Sequence, residues 1–395
     1  MLISIDEARA RVLEAVRPLE AEDVPLAEAL GRVLAEDVTS PIDVPPFDGS
    51  AMDGYAVRAG PAAELEVIGE SRAGAPAAEQ VRPGTAIRIS TGAALPAGAD
   101  AVVPLERAEP VARPTERVRV PATEPRANVR YAGEDLPAGR PVATAGTPLD
   151  AATIGAAAAI GRAAVRCGRR PRVALVVTGD ELVPPGRPLP PGGIYSSNVY
   201  ALGAQVAGAG AELAGRRNVP DDAQATRTAL AGALATADVV IASGGISVGP
   251  HDHVKPALRG LGVDERFWGV SLRPGKPTWF GTKVGVLVFG LPGNPVSAMV
   301  TFELFVRPAL RALQGRSPDA ATATVTLDEP IERHPVREQA VRVRLRRTAN
   351  GLRATSTGPQ GSHMLTSMLG ADALARVAAG EGALPAGATV EVELL

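Results

Sequence analysis

From Pro171 onward the hydrophobic pattern switches repeatedly between strand-like and helix-like periods, and this alternation constrains the fold more than any other feature. The order is strand RVALVVTGDE, helix NVYALGAQVAGAG, strand ELAGRRNV, helix DDAQATRTALAGAL, strand DVVIASGG and helix DHVKPALRGLG. Strand, crossover helix, strand predicts a doubly wound α/β unit whose parallel sheet is covered on both faces. Strands near FWGVSL, PTWFG and VGVLVFG complete it before a long helix from Pro295 to Leu313. Ligands of such sheets bind beyond the carboxyl ends of the strands. Three loops therefore carry the expected chemistry: Thr178, Gly179 and Asp180; Ser243, Gly244, Gly245, Ser247 and Gly249; and Pro292, Gly293, Asn294 and Pro295. Their glycines let backbone amides approach a phosphate, and a helix N-terminus adds unpaired N–H groups. Together they describe an anion pocket.

The flanking segments have a different texture. Ile5 to Leu19 reads as a helix behind a cap at Ser4, because Ile5, Ala8, Val12, Ala15 and Val16 recur at helical spacing. From Pro41 to about Pro148 short Val/Ile-rich runs (LEVIGE, TAIRIS, DAVVPLE, ERVRV) are broken by proline and glycine. The chain holds 43 glycines and 36 prolines, about a fifth of its 395 residues, so tight turns and short strands are expected there. An apolar helix-like stretch, Asp150 to Ala164, leads into the basic CGRRP turn and is expected to rejoin the N-terminal helix. After Gly315, VTLDEPI, AVRVRLRR, a TANG turn, LRATST and TVEVELL predict a small β domain. The predicted organisation is a discontinuous first domain (1–47 plus 141–170), a β-rich insert (48–140), the α/β domain (171–316) and the β tail (317–395).

Several function classes drop out. A net charge of −2 gives no attraction to nucleic acid or membrane. One cysteine, Cys167, excludes disulfide frameworks and multi-cysteine zinc sites and is expected to be a small buried hydrophobe. The opening MLISIDEARARVLEA lacks the basic-then-apolar order of an export signal, and the low-polarity run from Ala151 to Gly161 is too short for a membrane span, so a cytoplasmic protein is expected. GVSLRPGKP is not a Walker A loop, since Pro277 stands where a hydroxyl must bind magnesium. No GxGxxG follows a strand, and the His251/His253 pair lacks zinc-site company.

The carboxylates Asp180, Glu181, Asp221, Asp222 and Asp252 fall at strand ends or helix starts, where they either cap helices or share a hydrated magnesium ion with a substrate phosphate. PPFDGSAMDGYAV, ISTGAALPAGADAVVPLE and NVRYAGEDLPAG, read as turn-rich frames, present Asp48, Asp53, Thr91, Asp100, Glu134 and Asp135 as a second acidic surface. Of 41 Lys and Arg residues only Lys255, Lys276 and Lys283 are lysines. A compact ammonium at Lys276 suits a small oxyanion.

In order along the chain, PPFDGSAMDGYAV, STGAALPAGADAVV, NVRYAGEDL, VVTGDELVPPG with IYSSN, SGGISVGPHDHVK, RPGKP and GLPGNPVSA resemble the MoeA family of molybdopterin molybdenumtransferases, relatives of the gephyrin E domain. The resemblance runs from about Ile3 to the C-terminus. It implies an elongated four-domain subunit with a molybdopterin-binding α/β domain and a small C-terminal β-barrel, working as a homodimer whose clefts combine both subunits. The implied reaction is magnesium-dependent insertion of molybdate into adenylylated molybdopterin with release of AMP, a molybdopterin adenylyltransferase and acceptor molybdoenzymes being the implied partners. Motif by motif, Asp53, Thr91, Asp135, Glu181, Asp221 and Asp252 take the functional positions, with Glu181, Asp221 and Asp252 near the metal. Lys276 and Ser297 would hold molybdate, Pro292 and Pro295 would shape the pocket, and Arg342 is a candidate from the tail. The chain departs from the family in having Arg273 where lysine is common, and Pro250-His251-Asp252 in place of an acidic-Ala-Asp step.

Overall fold

The computed structural model describes residues 2–395 except 112–115, 247, 248, 250 and 251. The strand and helix alternation folds into a six-stranded sheet in the order Glu212–Val219, Arg172–Thr178, Val239–Ser243, Val286–Leu291, Trp279–Lys283, Asp264–Trp268. The first four strands are parallel, and the last two join as antiparallel pairs. Successive residues of the central strands face opposite layers. Val173, Leu175, Val239 and Ile241 meet the helix Asn198–Gly208 and the helical run from Pro295 to Leu313, while Ala174, Val176, Val240 and Ala242 meet Ala223–Thr236 and Val254–Gly260. Burial on both faces is why these strands are apolar at every position rather than at alternate ones.

The run from Pro295 to Leu313 is helical throughout, with a π-helical segment, Phe302–Val306, between Pro295–Thr301 and Arg307–Leu313. Pro308 has no N–H to give the Leu304 carbonyl. The Arg9 guanidinium donates to that carbonyl instead, Nε at 3.2 Å.

Two N-terminal expectations are corrected. The first helix is Ile5–Ala15, capped by Ser4, and the chain turns extended at Val16 rather than continuing to Leu19. Its apolar stripe, Ile5, Ala8 and Val12, is buried in the core of the α/β unit and does not rejoin the later apolar helix. That later helix is Ala151–Ala159, capped by Asp150, and stops short of Ala164 because Gly161 turns the chain at φ 82°. Ala164–Gly168 then forms a strand against Ala21–Pro25, with Cys167 fully buried between them and the helix.

Val38–Thr39 pairs with Pro141–Ala143, so the chain leaves and re-enters this unit around a six-stranded insert. In the insert Gly54–Val57, part of a motif whose composition reads as turn, is a fully buried strand between Thr85–Ile89 and Ala101–Pro104. A Cβ on Gly54 would lie 2.0 Å from the Val103 carbonyl oxygen, so only glycine lets these strands close.

The tail forms a closed five-stranded barrel, Thr322–Leu327, Gly351–Ser356, Glu338–Thr348, Ala373–Val377 and Thr389–Leu394, the last returning to the first. Ala373–Val377, which lacks a strong β pattern in sequence, is the strand that closes it. Leu272–Arg273 leaves the α/β unit and adds to the barrel in parallel with Glu338–Gln339.

An ion-pair network secures this junction. Arg376 on the barrel binds Glu338, Glu393 (Oε1 at 3.2 Å) and Asp6 of the first helix (Oδ1 at 3.1 Å). Arg9 joins the same Glu393 at 2.8 Å. Removing one member of such a network leaves the others desolvated without a partner. Arg376→Ala should lower unfolding stability by roughly 2–4 kcal/mol, read as a shift in the urea midpoint, whereas Arg344→Ala on an exposed face should shift it little.

Candidate active site

The parallel strands Arg172–Thr178, Val239–Ser243 and Val286–Leu291 bring their three following loops to one edge of the sheet. Gly244 has φ 90° and passes so close to the first loop that a Cβ would lie 2.6 Å from the Thr178 carbonyl oxygen. The buried Thr178 hydroxyl has no hydrogen-bond partner among the described residues. Ser243 donates to the Pro292 carbonyl at 3.2 Å, and Asn198 donates to both Ser243 Oγ at 3.0 Å and the Gly293 carbonyl at 2.8 Å. Thr178, Ser243, Gly244, Pro292 and Gly293 are thus one construction, while Ser247 lies outside the described residues. Asn198, from the IYSSN string, is the fastener that composition alone did not single out.

The carboxylates separate by role. Asp222 caps Ala223–Thr236 by accepting from the Ala225 N–H. Asp180 and Asp221 brace each other's loops: Asp180 Oδ1 accepts from the Asp221 N–H at 2.9 Å, and the Asp180 N–H donates to Asp221 Oδ2 at 3.4 Å. Glu181 is exposed and folds over Gly179, its Oε2 lying 2.6 Å from where a Cβ on that glycine would be. Asp252 Oδ2 accepts from the Gly249 N–H at 2.6 Å, so it closes its own loop rather than capping Val254–Gly260. Beside it a pocket of about 680 Å³ runs past Lys255, whose Nζ sits 4.2 Å above the Trp268 ring. Among the described residues no three His, Cys, Asp or Glu side chains gather as a metal cluster. Glu181, Asp221 and Asp252 are therefore not a preassembled triad. Each keeps a carboxylate oxygen outside these loop bonds, a donor set that fits a hydrated magnesium ion, which takes one or two carboxylates and completes its shell with phosphate and water.

The acidic groups of the insert bond within the insert itself. Asp53 Oδ1 accepts from the Thr91 N–H at 2.7 Å, and Asp48 Oδ1 from the Ala132 N–H at 2.9 Å, so these motifs interlock. Glu134 closes its turn onto the Tyr131 N–H at 2.9 Å, and Asp135 is exposed next to it. Among the described residues no hydrogen bond or ion pair joins Asp48, Asp53, Thr91, Glu134 or Asp135 to the strand-end loops.

A cationic cleft opens where the α/β unit meets the barrel. Its volume is about 410 Å³, and Arg273, Lys276, Pro292, Asn294 and Ser297 line one side. Arg337, Gln360, Ser362 and His363 come from the barrel, and no carboxylate is among the lining residues. Pro295 opens the helix Pro295–Thr301 at the edge of the cleft. Asn294 donates to Ser362 Oγ at 2.9 Å instead of capping that helix. Arg342, 1% exposed, lies near Arg273, and among the described residues its guanidinium bonds to neutral groups, Ser367 Oγ at 3.1 Å and 3.2 Å and the Ala340 carbonyl at 3.3 Å. Burial and then the nearby Arg273 pull its pKa down to about 10, and the same two causes lower that of Arg337. Buried cations are ordinarily paired. Clustered guanidinium groups facing only neutral partners make a site that an anion completes. The contributions of Arg337, Gln360, Ser362 and Ser367 went unread in the sequence, because only the barrel's docking brings them to Lys276.

Comparison with known proteins agrees along the whole chain. Residues 3–161 match the family described as MoeA N-terminal region (domain I and II), 174–312 a probable molybdopterin binding domain, and 324–395 the MoeA C-terminal region (domain IV). The molybdopterin molybdenumtransferase of Haemophilus influenzae is 36% identical over 99% of this chain and 98% of its own length. That of Bacillus subtilis is 34% identical over 100% and 94%. A crystal structure of the molybdopterin biosynthesis MoeA protein from Pyrococcus horikosii superposes with a TM-score of 0.86 at 33% identity, covering 100% of this chain and 99% of that one. Fold and comparisons define a transferase of molybdenum cofactor biosynthesis. The chain belongs to the MoeA family of molybdopterin molybdenumtransferases.

Any ligand that binds only the folded state raises its melting temperature. Molybdate, and more weakly sulfate, should therefore raise the melting temperature of this protein, and Arg342→Met should remove most of that rise.

Proposed function

We propose that this chain catalyses magnesium-dependent insertion of molybdate into adenylylated molybdopterin, releasing AMP. The observation that carries the reading is the carboxylate-free cleft of Arg273, Lys276 and Arg337, walled on one side by Pro292 and Asn294 of the third strand-end loop. Molybdate is a dianion, and its desolvation must be offset by fixed cations and N–H donors. Lys276 supplies a compact charge, Ser297 a hydroxyl, and Arg273 and Arg337 planar guanidinium donors from opposite sides of the junction. The Gly179, Gly244 and Gly249 N–H groups are engaged by Val219, Leu291 and Asp252, so in this reading the Thr178 hydroxyl, without a partner among the described residues, is the donor these loops keep for the ligand's phosphates.

Glu181, Asp221 and Asp252 would hold Mg2+, which would supply charge neutralisation to a pyrophosphate. The carboxylates also orient the water that cleaves the pyrophosphate, and Asp180 keeps the Asp221 loop in place for this work. Asp53, Thr91 and Asp135 sit apart from these loops within one chain. In the proposed homodimer they complete the cleft of the partner subunit. A cytoplasmic setting, with a molybdopterin adenylyltransferase supplying substrate and molybdoenzymes taking the product, belongs to the same reading. So does the four-domain division into 1–47 plus 141–170, 48–140, 171–316 and 317–395. No helix among the described residues is long and apolar enough to cross a membrane.

The test is anaerobic incubation with adenylylated molybdopterin, Mg2+ and molybdate, following AMP and the activation of a cofactor-free molybdoenzyme. Both should appear with the wild type. Asp221→Asn should slow AMP release about 10²-fold, and Lys276→Ala should raise the molybdate needed for half-maximal rate about tenfold. Tight ligand binding without AMP or activation would instead mark a non-catalytic binding protein.

A further inference from the structure

The turn that presents Arg337 to the cleft is built around one histidine. His334 Nδ1 accepts from the Val336 N–H at 3.1 Å and the Arg337 N–H at 3.0 Å. The His334 N–H donates to Gln339 Oε1 at 2.5 Å, and its carbonyl accepts from the Gly380 N–H at 3.1 Å. A nitrogen that accepts two N–H donors carries no proton, so in the neutral ring the proton is on Nε2. Nε2 lies 3.0 Å from Arg337 Nη2. Both groups are then donors, and neither satisfies the other. Arg337 Nη1 reaches the Leu272 carbonyl only at 3.4 Å. The ring thus fixes the backbone of the turn that carries Arg337, while the guanidinium at the cleft wall has only the long Leu272 contact as an acceptor among these bonds.

We infer that His334 is a positioning residue for oxyanion binding: as a neutral imidazole it locks the turn that aims Arg337 at the cleft, and its protonation releases that turn. This rests on the reading of the cleft as the molybdate site. The charged groups acting on the ring are Arg337 on its own turn and Arg273 from the adjoining strand. Neighbouring Arg333 is turned away onto the Glu381 and Gly382 carbonyls, and Glu332 is exposed on Ile331–Glu332. Burial, then Arg337 and Arg273, lower the His334 pKa below its ordinary 6.5. The ring is therefore neutral at pH 7, and the lock is lost only as pH falls through that lowered value.

Equilibrium dialysis of molybdate against the full chain, from about pH 8 to pH 5.5 across the histidine range, tests this together with steady-state kinetics. Wild-type affinity should hold at neutral pH and fall on the acid side. His334→Ala should weaken molybdate binding about tenfold at pH 7, the worth of one or two hydrogen bonds, raising KM for molybdate with kcat unchanged. His334→Asn keeps a side-chain acceptor for the same two N–H groups but does not titrate, so it should bind like the wild type and lose the acid limb. Thermal melts confirm that each variant is folded. Unchanged binding in His334→Ala, a persistent acid limb in His334→Asn, or a loss of kcat without change in KM would each overturn the inference. Normal pH-dependent molybdate binding with no AMP release would defeat the proposed insertion activity and leave His334 in its role. Absence of molybdate binding by the wild type would defeat both.

Discussion

The two-residue parallel ladder between Leu272–Arg273 and Glu338–Gln339 is the constraint on which the site depends. It makes the barrel an extension of the α/β unit and sets Arg273 beside the turn that carries Arg337. Two paired residues are too few to hold a domain. The ladder is reinforced by Arg376, which grips Glu338 within it and reaches to Asp6 and Glu393, and by Arg9, which ties Glu393 to the Leu304 carbonyl. That carbonyl is open to Arg9 because Pro308 cannot donate to it.

Charge is distributed unevenly around this frame. The junction network is rich in carboxylates and balances Arg376 and Arg9. The cleft beside it is lined by Arg273, Lys276 and Arg337 with none, and Arg342 is buried near Arg273. Like charges brought together in a partly desolvated space raise the energy of the free protein, and an anion lowers it again. Arg273 is a planar fork rather than a point donor, and it places a guanidinium near both Arg337 and Arg342.

Much of the α/β unit was legible because buried strands and crossover helices carry strong periods. ELAGRRNV is the strand Glu212–Val219, and the loops after VALVVT, VVIAS and VLVFGL meet at one edge as strand-end geometry requires. The sequence also posed the choice between capping and metal binding: Asp222 caps its helix, the Asp221 N–H bonds to Asp180, and metal binding by Asp221 belongs to the proposed function. What the sequence hid was tertiary. The apolar stripe of Ile5–Ala15 names a buried face but not its partner, and Gly54–Val57 reads as a turn because two glycines and an aspartate surround it. Ala373–Val377 carries too little β pattern to announce the strand that closes the barrel. Arg337, Ser362 and Ser367 are scattered along the tail, and their common purpose depends on a docking geometry without a local signature.

The most direct measurement is to locate molybdenum by anomalous scattering in crystals of this protein soaked with molybdate. A peak is expected in the junction cleft, within hydrogen-bonding reach of Lys276, Ser297 and the Arg273 and Arg337 guanidinium groups. A peak confined to the Asp180 and Asp221 loops or to the Trp268 pocket, with the cleft empty, would contradict it.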